Sequence, residues 1–381
     1  MQRTPLPKII VLFVLFAYLS MAAAFGQTTP AVEQVVIKCW SYPLGESRAS
    51  ALASDGTHVF TGATGAKIGA LSLEGRKVWT TELGGDIASN ILPLESGVFV
   101  VTAASASDPG KNGESVMRSL SRETGITNWS LKLPNSDKHF LSGFNGSVII
   151  VSKKGVIQSV DANSGSVKWK REIAEGFVSS PVFNGGRVLV AASGKQVFGV
   201  SMATGDIDSM RKPAFAITAL NEIAGGGLIA GDDRGNLTSV ANGGEKVNWK
   251  FKAGGEISAI YAVSENLLVT SHDNFAYFIA SRNGDVVWKK RLGGRVSYIA
   301  TILNKFAVIT SFEEHGAVLI DLSSGRVAGQ IVLGGDEYLV SDPVSSNGLI
   351  YVLTNQAAYA FSLNGCGGKS EPPAEARPRE R

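Results

Sequence analysis

The six tryptophans of the chain recur at a nearly constant spacing, which restricts the folds available to it. Successive intervals are 39, 50, 40, 80 and 39 residues. The interval of 80 equals two periods with one tryptophan missing near Met210, and a degenerate copy puts Gln330 at an eighth position. Since no tryptophan lies outside this pattern, the sequence predicts eight related units. The tryptophans are Trp40, Trp79, Trp129, Trp169, Trp249 and Trp288.

Each unit has the composition of a small antiparallel sheet. Residues 254–290 contain four short runs rich in Val, Ile, Thr, Tyr and Phe, separated by turn-forming residues. This pattern predicts four strands, and a period of about 40 residues is typical of a propeller blade. The first strand of each unit carries Ser, Ala or Gly, as expected beside a crowded axis; a ligand channel lined with hydroxyl groups is the alternative. The tryptophans are expected to pack between neighbouring blades.

The ends of the repeat predict how the ring closes. Seven units have four strands and the eighth has three, while the segment "QVVIKCWSYPLG" from Gln34 supplies one unpartnered strand. The fold class is therefore all-β, an eight-bladed β-propeller of four-stranded antiparallel blades. The N-terminal strand is expected to complete the last blade, which leaves no sheet edge open at the closure. Closure would bring Cys39 and Cys366 together, and we expect a disulfide; two free thiols are the alternative.

The composition of the chain ends predicts export. Residues 1–24 have a basic start, an apolar run and an Ala-rich end, typical of a cleaved signal peptide, with an uncleaved anchor as the alternative. A short linker (25–33), the propeller (34–365) and a disordered tail (366–381) are expected to follow. The net charge is +3, and charges of both signs are interspersed along the chain, which argues against nucleic-acid binding.

Signals for catalysis or metal binding are weak. His58, His139, His272 and His315 lie in different units without zinc-ligand spacing. The stretch "GDDRGN" from Gly231 resembles part of a calcium loop, but it falls where other units have a hairpin turn. No catalytic residue, metal site or cofactor is predicted.

Two departures from the repeat are candidate binding sites, because loops on a rigid scaffold often bind partners. The first is "DSMRKPAFAI" from Asp208, where the tryptophan is missing. The second is the long loop "ASASDPGKNGES" from Ala104, which lengthens one interval. Its candidate binding residues are Ser105, Asp108, Lys111 and Glu114.

The aliphatic strand, Gly-containing turn and Trp-Lys strand resemble the PQQ-like (quinoprotein) propeller repeat over residues 34–365. Within that superfamily, an exported eight-bladed chain is similar to the BamB family, the accessory subunit of the outer-membrane β-barrel assembly machinery. The stretch "GGGLIAGDDRGNLTSVANGGEKVNWKFK" is similar to that family's fifth blade.

The resemblance implies a non-enzymatic periplasmic scaffold, monomeric within a complex, that binds the barrel-inserting subunit and client proteins without a cofactor. Family docking contacts match Met210 and Arg211, and Asp232 and Asp233 are candidates by position. Family members carry a lipidated cysteine after the signal segment, whereas "AYLSMAAAFGQTTP" contains none. The chain is thus expected in the periplasm, in association with the outer membrane and without a recognisable lipobox; membership of a different propeller family is the alternative.

Two other functions remain open from the sequence. A periplasmic dehydrogenase dependent on PQQ and calcium would share the repeat, but its ligand set and adjacent cysteines are not identifiable. A secreted propeller that recognises a peptide or glycan is also compatible with the sequence. The sequons that permit glycosylation are at Asn128, Asn145 and Asn236.

Overall fold

A computed structural model describes most of the propeller region. The described residues are 36–45, 48–104, 114–134, 138–173, 176–192, 195–211, 216–223, 227–241, 246–302, 304–311 and 315–366. All of them belong to the unit Glu33–Arg381. The predicted signal peptide and linker lie outside the described residues, as do residues 367–381 of the predicted tail.

Strand β1 (Ile37–Pro43) comes first in the chain, and the first four blades follow it. Blade 1 contains β2 (Ala49–Ser54), β3 (His58–Ala63), β4 (Lys67–Ser72) and β5 (Lys77–Glu82), with a 3-10 helix at Thr64–Ala66. Blade 2 contains β6 (Asp86–Ile87), β7 (Leu92–Leu94), β8 (Gly97–Ala103), β9 (Ser115–Leu120) and β10 (Thr127–Leu133). Blade 3 contains β11 (His139–Phe144), β12 (Ser147–Ser152), β13 (Val156–Asp161) and β14 (Val167–Glu172). Blade 4 contains β15 (Val182–Asn184), β16 (Arg187–Ala192), β17 (Gln196–Ser201) and β18 (Ile207–Arg211).

The other four blades have the same organisation. Blade 5 contains β19 (Ile217–Ile223), β20 (Gly227–Asp232), β21 (Asn236–Val240) and β22 (Val247–Lys252). Blade 6 contains β23 (Ile257–Val263), β24 (Asn266–Ser271), β25 (Phe275–Ala280) and β26 (Val286–Arg291). Blade 7 contains β27 (Val296–Ile302), β28 (Phe306–Ser311), β29 (Gly316–Asp321) and β30 (Val327–Val332). Blade 8 contains β31 (Val344–Ser346), β32 (Leu349–Leu353), β33 (Ala357–Ser362) and β1.

The sheet topology confirms the predicted eight-bladed propeller and its closure. In blade 8 the strand order is β1-β33-β32-β31, so the N-terminal strand is the outermost strand of the last blade. Blade 2 differs slightly, because its innermost strand is split into β6 and β7, which both pair with β8. A disulfide joins Cys39 of β1 to Cys366 just after β33, as the sequence predicts. It covalently links the two ends of the propeller.

The tryptophans join six of the eight blades to the blade that follows, which confirms their predicted packing between blades. In each pair, the indole N–H donates to a backbone carbonyl in the turn between the third and fourth strands of the following blade. A turn glycine lies against the indole ring in all six pairs, where a side chain would clash. The pairs are Trp40–Leu73 (2.7 Å), Trp79–Arg122 (2.7 Å), Trp129–Ala162 (3.1 Å), Trp169–Met202 (3.1 Å), Trp249–Ser281 (2.9 Å) and Trp288–Leu322 (2.7 Å).

The strand register corrects the two positions at which the sequence places a lost tryptophan. Ser209 pairs with Gly199 as Trp169 pairs with Ser159, so Ser209 and not Met210 occupies the tryptophan position of blade 4. In blade 7 the position belongs to Gly329 and not to Gln330. The predicted position near Met210 and the one at Gln330 each lie one residue away from the observed position. That position stands four residues after the turn glycine, as Trp169 follows Gly165, and Gly205 and Gly325 precede Ser209 and Gly329 by the same count.

An additional charged contact links blades 1 and 2. The Asp55 carboxylate accepts hydrogen bonds from the backbone N–H groups of Thr57 (2.8 Å) and His58 (2.6 Å) and from the Arg122 guanidinium of blade 2 (2.6 Å). Burial alone would raise the pKa of Asp55, but these hydrogen bonds and the Arg122 charge lower it below its usual value. The ionised carboxylate therefore stabilises this junction.

The hydrophobic core is divided among the junctions between blades. One cluster, for example, contains Ile229 and Trp249 of blade 5 together with Leu267 and Tyr277 of blade 6. Among the described residues, no helix has the length and apolar character needed to span a membrane. The scaffold is thus rigid at its junctions, and its variable features lie in loops and on outer strands.

Candidate interaction face at blades 4 to 6

The strand directions place the predicted binding residues on one face of the propeller. Because strands within a blade alternate in direction, the turn between the second and third strands emerges on the same face as the loop leading to the next blade. We call this the upper face. It carries Arg211 at the end of β18, Asp233 in the turn after β20, and Ala104 and Glu114, the described ends of the long loop of blade 2. The turns that receive the tryptophans lie on the opposite, lower face.

Met210 and Arg211 form the end of β18, beside a surface cavity. Their backbones pair with Phe198 and Val197 of β17. The cavity, with a volume of about 270 Å³, lies where blades 4, 5 and 6 meet on the upper face, and Gln196, adjacent to Val197, lines it. The topology therefore places the predicted Met-Arg pair beside a concave surface.

The walls of this cavity combine apolar and charged groups. Val178 of blade 4 is 50% exposed, and Ile217 begins the first strand of blade 5. Lys195 comes from the β16–β17 turn and Glu256 from the loop leading to blade 6. The Glu256 carboxylate also lies 3.3 Å from Nδ1 of His272, which is in the turn between β24 and β25. Sequence analysis did not identify Lys195 or Glu256, because neither stands in a distinctive motif and only the ring brings them together.

The structure assigns different roles to the two adjacent aspartates. Asp232 is fully buried, and its carboxylate accepts hydrogen bonds from the backbone N–H groups of Arg234 (3.0 Å) and Asn236 (2.7 Å) and from the Asn236 side chain (2.7 Å). Asp233 and Arg234 are exposed at the tip of the turn. Asp232 therefore holds the turn in shape, and Asp233 is the aspartate that a partner can reach.

The long loop of blade 2 is described only at its ends. Ser105, Asp108 and Lys111 lie outside the described residues. Glu114 is 59% exposed and forms an ion pair with Lys132 of β10 at 2.9 Å. This ion pair fixes the end of the loop to the outer strand of its own blade.

The central channel carries hydroxyl groups on its wall, in agreement with the Ser- and Thr-containing first strands. A cavity of about 600 Å³ is lined by residues of blades 4 to 7, among them Ser180, Ser258 and Thr301. Asp342 faces the channel and accepts a hydrogen bond from the Ile299 N–H at 3.1 Å. The surrounding wall raises the pKa of Asp342 despite its exposure. Within the described residues, no group of three or more His, Cys, Asp or Glu residues is placed to hold a metal ion.

Comparisons with known proteins agree with this architecture. A family model described as outer membrane protein assembly factor BamB matches residues 37–144, 112–243 and 209–367. The outer membrane protein assembly factor BamB of Yersinia pestis is 25% identical over 258 residues. This match covers 58% of the chain and 63% of that relative, which is less than two thirds of the relative's length.

Solved structures show the same fold at low sequence identity. BamB from Moraxella catarrhalis superimposes with a TM-score of 0.66 at 14% identity, covering 88% of this chain and all of that chain. The computationally designed protein Ika8 superimposes with a TM-score of 0.68 at 13% identity, and the match covers 86% of this chain and 99% of Ika8. The C-terminal WD40 domain of Sif2 superimposes with a TM-score of 0.67 at 10% identity, and the match covers 87% of this chain and 99% of that domain.

Propellers of unrelated origin superimpose equally well, so the structural likeness establishes the fold alone. The family model is more specific, since its overlapping matches cover Ile37 to Gly367 without interruption and include the blade 4–5 junction with Met210 and Arg211. On this basis, the chain belongs to the BamB family of outer membrane protein assembly factors.

Proposed function

We propose that the protein is a non-enzymatic interaction scaffold in outer-membrane protein assembly. It acts in the periplasm, associated with the outer membrane, as a monomer within a complex that contains the barrel-assembly subunit. Its upper face at blades 4 to 6 docks on that subunit, and client proteins contact the assembled complex. This proposal rests on membership of the family together with the surface features of one junction.

The observation that carries the docking site is the coincidence of three features at the junction of blades 4 and 5. The tryptophan is replaced by Ser209, Met210 and Arg211 match the aliphatic residue and arginine of the family's docking contacts, and a cavity of about 270 Å³ lies at the same junction. A cavity beside an arginine supports an interface anchor, because a partner side chain can enter it while the arginine pairs with a carboxylate.

The charges around the cavity support recognition of a polar partner surface with a defined orientation. Lys195 from blade 4 and Glu256 from the loop before blade 6 both line the cavity. Asp233 and Arg234 protrude from the neighbouring turn of blade 5. Alternating charges at the rim of an interface contribute mainly to specificity and to the association rate. The partner is therefore expected to carry both charge signs around one apolar side chain.

Site-specific photo-crosslinking in the native envelope tests this docking site. A photoreactive residue is introduced at Arg211, Asp233, Ser105 or Arg282, one position at a time. Arg282 is an exposed arginine in the β25–β26 turn of the lower face and so serves as the matched control for Arg211. We expect capture of the barrel-assembly subunit from Arg211 and Asp233 and not from Arg282.

Charge reversal provides the complementary measurement. Arg211→Glu is expected to weaken co-purification of the barrel-assembly subunit at least tenfold, whereas Arg282→Glu leaves it unchanged. Both proteins should unfold at the same denaturant concentration. Equal effects of the two substitutions, or capture from the lower face alone, would exclude docking through the upper face.

A further inference from the structure

The outermost strands of blades 5 and 6 carry basic residues without acidic ones. Strands β22 and β26 read "VNWKFK" and "VVWKKR". Lys250, Lys252, Lys289 and Arg291 are exposed, and Lys290 is half-buried. We call these five residues the basic rim. They come from two separate stretches of sequence, and only the ring places them on adjacent blades.

The basic rim differs from the equivalent strand of blade 3, which has the same Trp-Lys motif. In blade 3 every basic side chain of β14 has an acidic partner: Lys168 with Asp161 (3.2 Å), Lys170 with Glu172 (2.6 Å) and Arg171 with Asp206 (3.1 Å). In the part of the chain that the structure describes, no basic-rim residue has a carboxylate oxygen within 4.0 Å. Lys252 instead contacts the Arg234 carbonyl. The positive charge of the basic rim is therefore not balanced locally.

Contacts between the two blades bring part of the basic rim together. Phe251 of β22 packs against Tyr277 of blade 6, with ring centroids 5.1 Å apart. Tyr277 pairs across the sheet with Lys289, whose ammonium group lies 5.7 Å from the Phe275 ring. Lys250 and Lys252 flank Phe251 on β22 and therefore project from the opposite face of that strand. The two blades thus present their basic side chains on adjacent outer strands, with the aromatic cluster on one side of β22.

Exposed aliphatic side chains stand among these charges. Val247 is 45% exposed, Val286 43% and Val287 52%. Lysines on an edge strand serve in many proteins to prevent pairing with another sheet. Blade 3 also exposes a valine two residues before its tryptophan, Val167 at 49%, but its lysines are neutralised. The feature that sets blades 5 and 6 apart is therefore the absence of counter-charges.

We propose that the basic rim binds the surface of an anionic lipid bilayer. A lysine ammonium group is a point charge on a flexible side chain, which suits a surface of dispersed anionic headgroups. Recognition of a carboxylate on a protein instead favours the bidentate geometry of arginine. Four of the five residues of the basic rim are lysine. The valines and the aromatic cluster suit the boundary between headgroups and acyl chains. The outer circumference of a ring is convex, and such a surface can lie on a bilayer.

Co-sedimentation of the full chain with vesicles tests this inference. Vesicles of phosphatidylcholine alone are compared with vesicles in which a third of the lipid is phosphatidylglycerol. The rim variant carries Lys250→Gln, Lys289→Gln and Arg291→Gln; the matched control carries Lys168→Gln, Lys170→Gln and Arg171→Gln. Any contribution of the apolar N-terminal segment is common to both variants, so the difference between them measures the basic rim.

Each basic residue near an anionic surface contributes roughly a fivefold factor to partitioning. The rim variant is therefore expected to bind the anionic vesicles on the order of a hundredfold more weakly than the unaltered chain, and the control variant less than about fivefold more weakly. The difference should shrink in high salt and be absent with phosphatidylcholine. Unchanged circular dichroism of both variants establishes that they are folded.

Three results would overturn the inference. Equal loss in the two triple variants would show that only net charge matters. Equal binding to the two vesicle compositions would exclude a role for anionic headgroups. Lipid-independent capture of an acidic protein by a crosslinker at Lys289, with no effect of the rim variant on vesicle binding, would assign the basic rim to a protein partner. None of these outcomes depends on whether the upper face docks the barrel-assembly subunit.

Discussion

The contact between a tryptophan and the glycine of the next blade can be tested within blade 3. Gly165 has φ +73° and lies under the Trp129 indole, where an added Cβ would come within 2.6 Å of the ring. Gly146, in another turn of the same blade, has φ +69° and no atom within 4 Å of an added Cβ. Gly165→Ala and Gly146→Ala therefore impose nearly the same backbone strain, and only the first disturbs the indole.

The expected magnitudes follow from this geometry. Alanine in the left-handed region costs roughly 1 kcal/mol at either position. At Gly165 the ring must also move, which adds about 1–3 kcal/mol of overpacking. Displacing the ring weakens the Trp129 hydrogen bond to the Ala162 carbonyl, which contributes about 0.5–1.5 kcal/mol. Gly165→Ala should thus reduce the free energy of unfolding by about 2–4 kcal/mol more than Gly146→Ala.

Equilibrium unfolding in urea, followed by circular dichroism and by tryptophan fluorescence, measures this difference. Agreement of the two probes establishes that blade 3 unfolds together with the rest of the propeller, so the free energies can be compared. A difference below about 1 kcal/mol, or a larger loss for Gly146→Ala, would refute the view that the indole contact stabilises the junction.

Three further predictions concern the closure, a charged junction and the turn of blade 5. Replacing Cys39 and Cys366 with Ser should lower the free energy of unfolding, measured in urea, by about 5 kcal/mol. A reductant should lower the free energy of unfolding of the unaltered chain by the same amount. Asp55→Asn should cost about 2 kcal/mol at pH 7. Since the folded-state pKa of Asp55 lies below 3.8, this loss should disappear as the pH falls through that lowered pKa in a pH series of unfolding curves. Asp232→Ala should destabilise by about 2–3 kcal/mol and Asp233→Ala by less than about 0.5 kcal/mol in the same assay.

The blade count was predictable because each tryptophan needs a turn on the following blade to receive it, so motif and spacing recur together. The two degenerate positions are accessible from the sequence through the turn glycine. Trp169 follows Gly165 by four residues, and the same count from Gly205 and Gly325 gives Ser209 and Gly329 instead of Met210 and Gln330. The β-bulge before this position recurs in blades that keep their tryptophan, so it does not displace the register of blades 4 and 7.

The candidate site was predictable only in part. Repeat spacing assigns Met210, Arg211 and the two aspartates to one face, and the strand directions agree. It does not distinguish Asp232 from Asp233, because the difference arises from the hydrogen bonds of one turn. The residues of the cavity wall are even harder to predict from the sequence, because Lys195 and Glu256 come from different blades and meet only when the ring is formed.

The two proposed surfaces can be separated because each blade contacts only its neighbours, so a substitution on an outer strand has little influence on a loop of another blade. Arg211→Glu should weaken docking of the barrel-assembly subunit and leave vesicle binding intact, while the rim variant should weaken vesicle binding and leave docking intact. If both surfaces act at once, a partner held at the upper face of blades 4 to 6 is presented beside the bilayer on which blades 5 and 6 rest. The propeller would then fix the position of an assembly subunit relative to the membrane as well as bind it.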